Sequence, residues 1–151
     1  MIMSTSVEAP GQLYFDHIGI VVPTIDLGCA QLASILQDLL WTRRFDDDNL
    51  GVSVRFAKDR SGIVYEMLAP LGANSPISKA LGSKTNLLNQ IAYRTTSLDS
   101  SVARLRAERA VPIGRSKPAI AFGGAKVQFL MTEIGFLIEL IEVDRVVHEF
   151  S

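Results

Sequence analysis

A single offset of 73 residues carries His17 onto Gln90 and Glu66 onto Glu139, and no gap is needed to keep that register through both halves of the chain. The same offset lays Asp16-His17-Ile18-Gly19-Ile20 on Asn89-Gln90-Ile91-Ala92-Tyr93, and Thr24-Ile25-Asp26 on Ser97-Leu98-Asp99. It then lays Gly51, Val54, Phe56, Gly62 and Met67 on Gly124, Val127, Phe129, Gly135 and Leu140. Open arrays use repeats of about 20–50 residues. Two longer copies fit better as two halves that close one core, and a chain of 151 residues is long enough to build it.

Within each copy the hydrophobic period changes in the same order. Residues 13–22 are β-rich and stop at Pro23; Thr24 then offers an N-cap for a helix over 25–39, where Ala30, Leu32, Ala33 and Leu36 recur at helical spacing. Three strands follow at 41–46, 51–58 and 62–69, separated by polar turns. The second copy predicts a strand over 87–95, a helix over 98–109 capped by Ser97, and strands near 111–114, 125–131 and 136–143. The expectation is an α+β domain over 13–143, two tandem βαβββ modules (13–70 and 86–143) forming a cupped, barrel-like mixed sheet with helices outside. Residues 1–12 read as a loose tail and 144–151 as a C-terminal tail. Ser75-Pro76 can start a short helix in the connection, and 118–124 reads as a flexible approach to the next strand.

Alternation along the strands decides what the polar residues face. His17, Gly19 and Val21 share one face of the first strand, and Val64, Glu66 and Leu68 one face of the fourth, while the opposite faces are also largely apolar. Strands apolar on both sides are covered on both sides, so Glu66 and Glu139 are expected away from open water. Leaving either unpaired there costs several kcal/mol. A divalent cation held by His17, Glu66, Gln90 and Glu139 removes that cost, and imidazole, carboxylate and amide donors suit Mn, Ni, Co, Zn, Fe or Mg. The alternative is a cavity in which the four bond to each other, to Arg94 and to water.

Composition narrows the partners. A formal net charge of −1 and the lack of a basic stripe exclude nucleic-acid binding by bulk electrostatics. Hydrophobic content is 48%, and no apolar run approaches the length of about 20 residues that a membrane span needs. The start of the chain lacks a secretory pattern, and the single Cys29 cannot form an internal disulfide, so a cytoplasmic location is expected. Cys29 lies in an apolar helix pattern, as a buried inert thiol would. His148, in the tail, is expected to face solvent. Asp46-Asp47-Asp48 reads as a hairpin turn rather than a calcium loop.

The strings Asp16-His17-Ile18-Gly19-Ile20-Val21-Val22, Glu66-Met67-Leu68-Ala69-Pro70-Leu71-Gly72, Ser75-Pro76-Ile77 and Leu137-Ile138-Glu139-Leu140, with the paired module order, resemble the vicinal oxygen chelate superfamily of glyoxalases, bleomycin resistance proteins and dioxygenases. Within it, the chain looks most similar to the methylmalonyl-CoA epimerases. The resemblance runs from about residue 15 to 143. It implies one metal ligand from the first and last strand of each module, which fall here on His17, Glu66, Gln90 and Glu139, and it implies a homodimer acting on a small molecule.

Three features depart from the epimerase pattern. Gln90 stands where a His is usual, although glyoxalase I members use Gln in such a quartet. The strand over 51–56 lacks the further carboxylate that some epimerases place there, and the loop before the last strand lacks a His-Pro-Lys-like segment for coenzyme A phosphates. The chemistry such a site favours is abstraction of an α-proton beside a carbonyl, with Glu139 as base and Glu66 as the alternative. Arg94, on the face of Gln90, could grip a substrate carboxylate or thioester oxygen, or form a structural ion pair. Three classes remain: a metal-dependent isomerase, epimerase or lyase; a metal-free binding or resistance protein; and an iron dioxygenase, disfavoured because only one His lies on a strand.

Overall fold

The computed structural model describes residues 11–84 and 87–151. Most of the expected 1–12 tail and the module boundary at residue 86 lie outside the described residues. The elements run β1 (Tyr14–Val21), α1 (Ile25–Leu36), β2 (Leu40–Trp41), β3 (Phe45–Asp47), β4 (Val52–Lys58), β5 (Val64–Pro70), α2 (Ser78–Ser83), β6 (Leu88–Thr95), α3 (Leu98–Ala107), β7 (Val111–Ala119), β8 (Ala125–Met131) and β9 (Leu137–Glu142). The nine strands among the described residues join one open, curved mixed sheet in the order β2, β4, β5, β1, β6, β9, β8, β7, with β3 also paired to β4. Among the described residues, no helix is long and apolar enough to cross a membrane.

The sequence duplication is a duplication of half-sheets. At the centre β1 and β6 pair antiparallel, each has a parallel neighbour (β5 and β9), and each parallel neighbour carries an antiparallel one (β4 and β8). A parallel neighbour requires a crossover connection, and α1 and α3 lie on those crossovers. Both helices begin at equivalent caps: the Thr24 side chain accepts from the Leu27 N–H at 3.1 Å and that of Ser97 from the Ser100 N–H at 3.2 Å.

Three apolar clusters follow from this layering. Outside the first half, Ile25 and Cys29 of α1 pack on Met67 and Ala69; outside the second, Leu98 and Leu105 of α3 pack on Leu130, Ile138 and Leu140. Inside the cup, Val52, Val54, Phe56, Leu68, Val127 and Ile141 gather with Phe122. Cys29 is buried, as expected, and burial pushes its thiol up.

Several boundaries differ from expectation, each for a local reason. The first helix stops at Leu36 rather than residue 39, because Gln37 and Asp38 take positive φ values of 56° and 47° and turn the chain toward β2. The single strand expected over 41–46 is two short pieces on β4. The strand expected near 111–114 continues to Ala119, since a register shift between Ile113 and Lys117 absorbs the extra residues. Residues 120–122 form one 3₁₀ turn that buries Phe122. The acidic run, expected to be a hairpin turn, instead ends β3 with Asp46 and Asp47 and enters the turn only at Asp48, where the Asp47 carboxylate accepts from the Leu50 N–H at 3.1 Å.

Leu140 is fully buried under α3, on the outer face of β9. Leu140→Ala is expected to lower unfolding free energy by about 2–5 kcal/mol in urea titrations. A cost near zero would mean that the α3 layer does not hold the second half together.

Candidate metal centre

Two small residues, themselves equivalent under the duplication, set the place where four polar side chains meet. Gly19 on β1 is flanked by Glu66 on β5 and Gln90 on β6, and Ala92 on β6 is flanked by His17 on β1 and Glu139 on β9. The space above Gly19 is taken by its neighbour, since a Cβ there would stand 2.7 Å from Gln90 Cγ and 3.0 Å from Leu68 Cδ1. The four residues are all buried. His17 Nε2 lies 3.3 Å from Glu66 Oε1 and 3.3 Å from Glu139 Oε1, and Gln90 Nε2 donates to the same two oxygens at 3.0 and 3.1 Å.

Each half also carries a register irregularity beside its polar residue. Phe15 pairs with Tyr93 and His17 with Ala92, leaving Asp16 as an extra residue on β1; Gly19 pairs with Gln90 and Ile20 with Leu88, leaving Asn89 extra on β6. Asp16 and Asn89 are equivalent positions. Bulges of this kind re-aim side chains, and here the Asp16 carboxylate is buried next to its neighbour, its Oδ2 2.6 Å from His17 Nδ1. Burial works to raise the Asp16 carboxyl, but hydrogen bonds from His148 and His17 and their charge outweigh it and hold it well below the usual carboxylate range. An ionised carboxylate only accepts, so His17 Nδ1 donates to it. That leaves His17 Nε2, which has no hydrogen-bond partner, facing the two glutamates.

This donor set fits a divalent cation. The ligand atoms of His17, Glu66 and Glu139 lie within 4.8 Å of one another. Donors about 2.1 Å from a shared cation sit about 3–3.5 Å apart, which is the spacing of His17 Nε2 from both carboxylate oxygens. Turning the Gln90 amide over brings Oε1 to the position of Nε2 with no change of volume. A carboxylate on the far ring nitrogen is the usual way a metal-binding imidazole is oriented.

Protons do part of the same work in the metal-free chain. Burial disfavours the His17 imidazolium, yet the Glu66 charge, the hydrogen bond to Asp16 and the close approach of Glu139 hold its pKa well above 6.5. Burial first, and then the Glu66 charge, push Glu139 up to about 7 against the pull of His17.

The polar group lies in the wall of a cavity of about 380 Å³. Val52, Val54, Leu68, Val127 and Phe129 make it apolar, Glu66, Gln90 and Glu139 supply its polar spot, and Arg115 and Lys117 line it from the exposed part of β7. Arg94 is not among the lining residues. Its Nε lies 3.2 Å from Asp16 Oδ1, an ion pair behind His17.

Asp16 and His148 are the two residues that sequence reading missed. Period-two alternation points Asp16 outward, and only the irregularity turns it in. His148, expected in solvent, has a side chain only 2% exposed, with Nε2 2.7 Å from Asp16 Oδ2. The correction has a physical cause: Val147 and Phe150 pack onto the inner cluster and draw His148 in with them. The run of apolar residues around it was the available signal.

Because the folded pKa values of both His17 and Glu139 are raised, their stabilisation is complete at acid pH and is lost as pH rises, through about 7 for Glu139. The melting temperature of the metal-free chain is therefore expected to fall across neutral pH, and E139Q is expected to flatten the slope. A wild-type curve that rises with pH would contradict this charge arrangement.

Known proteins share the fold that carries this site. The family model described as the Glyoxalase/Bleomycin resistance protein/Dioxygenase superfamily matches residues 16–129. A crystal structure of a hypothetical protein from Bacillus halodurans superposes with a TM-score of 0.76 at 25% identity, covering 91% of this chain and 99% of that one. Methylmalonyl-CoA epimerase from Mycobacterium tuberculosis superposes at 0.73 with 24% identity, covering 95% and 94%. A Streptomyces coelicolor methylmalonyl-CoA epimerase variant in complex with 2-nitronate-propionyl-CoA gives 0.68 and 21%, covering 84% and 94%. No curated protein sequence matches the chain. With three quarters of its length matched by the family model and the same cupped sheet in its structural relatives, this chain belongs to the glyoxalase, bleomycin resistance protein and dioxygenase superfamily.

Proposed function

We propose that this chain is a metal-dependent enzyme that moves a proton beside a substrate carbonyl, as an isomerase, epimerase or lyase. His17, Glu66, Gln90 and Glu139 would hold one divalent cation, of the group Mn, Ni, Co, Zn, Fe and Mg. The observation that carries the reading is His17 Nε2, buried without a hydrogen-bond partner between two carboxylate oxygens, with its other nitrogen tied to Asp16. When bound, the cation supplies a Lewis acid for the charge that develops on a carbonyl oxygen as the neighbouring C–H loses its proton.

The chain's own groups do the rest. Glu139 is assigned as the base and Glu66 as its alternative, since both reach the cavity. Gln90 ligates or orients and takes no proton. Val52, Val54, Leu68, Val127 and Phe129 keep water from the reacting carbon and strengthen the electrostatics there. Arg115 and Lys117 offer positive charge to an anionic part of the substrate at the cavity. An acyl thioester such as methylmalonyl-CoA is the substrate that the epimerase relatives suggest. Arg94, paired with Asp16, serves in this reading to hold that carboxylate.

One observation favours a second reading, a metal-free small-molecule binder. Gln90 donates to both glutamates and His17 lies against both, so the quartet is neutralised without a cation.

Elemental analysis and solvent exchange separate the two. Wild type is expected to retain about one metal per chain and, with it, to incorporate deuterium from D₂O at the α-carbon of methylmalonyl-CoA. E139Q should slow that exchange by about 10²-fold or more, and His17→Ala should lose the metal. No stoichiometric metal and no exchange after adding Mn, Ni, Co or Zn, with small-molecule binding intact, would establish the binder instead.

A further inference from the structure

We propose that His148 is a positioning residue for the metal centre: its imidazole, carried across the cup by the C-terminal segment, holds Asp16 so that Asp16 can keep His17 Nε2 aimed at the cation. The inference rests on the reading of His17 as a ligand.

The contacts run as a chain. His148 Nε2 lies 2.7 Å from Asp16 Oδ2, and the same oxygen lies 2.6 Å from His17 Nδ1. One carboxylate oxygen thus meets a ring nitrogen of each imidazole, while Arg94 faces the other oxygen at 3.2 Å. Without His148, Asp16 would lose one of the contacts that hold its side chain in place.

Packing alone does not call for a histidine at 148. Its ring is surrounded by Phe56 at 4.3 Å, Phe122 at 5.3 Å and Phe150 at 5.7 Å between centroids, an environment that an apolar ring would fill as well. A buried imidazole costs free energy there unless its polar atoms are bonded, and its bond goes to Asp16. The segment is placed by other contacts. Ser151 and Trp41 exchange two backbone hydrogen bonds, at 3.0 and 3.1 Å, which extend the pairing at β2, and Lys58 sits 5.1 Å over the Phe150 ring.

The device exists in one half only. Under the same offset His148 falls on Ser75, in the connection between the halves, and the equivalents of Asp16 and His17 are Asn89 and Gln90. That asymmetry is chemically sensible. An imidazole presents its ligating nitrogen only in the correct tautomer, which its other nitrogen must fix, whereas an amide oxygen needs no such partner.

The test uses the full chain, Co²⁺ as probe, and the 15N signals of the His17 ring. H148F keeps the ring volume and removes the donor; H148Q keeps a donor. H148F is expected to weaken Co²⁺ binding by about 10–100-fold in calorimetry, to change the d–d absorption of bound Co²⁺, and, in the metal-free chain at a pH where the His17 ring is neutral, to move its 15N signals toward a mixture of tautomers. H148Q should recover most of the affinity. H148L is read in the same way should H148F fail to fold. Wild-type Co²⁺ affinity and unchanged His17 signals in H148F would overturn the proposal and leave His148 as packing. If wild type itself binds no Co²⁺, the metal reading fails, and the His17 signals alone decide whether His148 positions that ring: shifted in H148F sustains it, unchanged overturns it.

Discussion

Four polar side chains buried at one point in an apolar cup are the constraint around which this molecule is arranged. Two glutamates there repel each other, and both are buried but for a few per cent of their surface. Such a group survives only if something positive sits between the carboxylates. In the chain alone that is the His17 imidazole with the Gln90 amide; in the proposed enzyme it is a divalent cation. The arrangement is one that burial penalises and a cation rewards, so its persistence in the interior points to function rather than to stability.

The sheet is built to permit that convergence. Residues directly opposite each other in neighbouring strands carry their side chains side by side, and four of them can share one point only if the positions between are nearly empty. Gly19 and Ala92 are those positions, one in each half. The parallel pairings β1 with β5 and β6 with β9 then bring the two glutamates alongside from opposite sides. Because α1 and α3 cover the outer face, the inner face is free to be part core and part cavity.

How much of this was legible in the sequence depends on which physical rule carries each feature. The half-sheets were legible because period and offset are both written in residue type: His17, Glu66, Gln90 and Glu139 fall at matched depths on strands apolar on both sides. The caps Thr24 and Ser97 were legible for the same reason. Chain turns that rest on backbone angles were not, so the end of α1, where Gln37 takes a positive φ that its residue type does not announce, was misplaced. Asp16 was hidden because alternation assumes an unbroken register, and the irregularity between Phe15 and His17 breaks it. His148 was hidden because a segment without periodicity gives no sign of which face it will cover.

The one substitution that most distinguishes this chain from the epimerase pattern, Gln for His at the third of the proposed ligand positions, is consistent with the rest of the site. A second imidazole at 90 would need its own acceptor for the far nitrogen, and the equivalent of Asp16 in that half is Asn89, an amide that carries no charge to stabilise an imidazolium or a metal-bound ring. Gln90 removes the need. It fills the space over Gly19, reaches both glutamates through one nitrogen, and turns over to offer oxygen instead. The pairs Asp16-His17 and Asn89-Gln90 therefore make sense as units: each ligand is matched to the support that its own half can provide. On this argument a histidine at position 90 would be well oriented only if an acid stood at 89 with it.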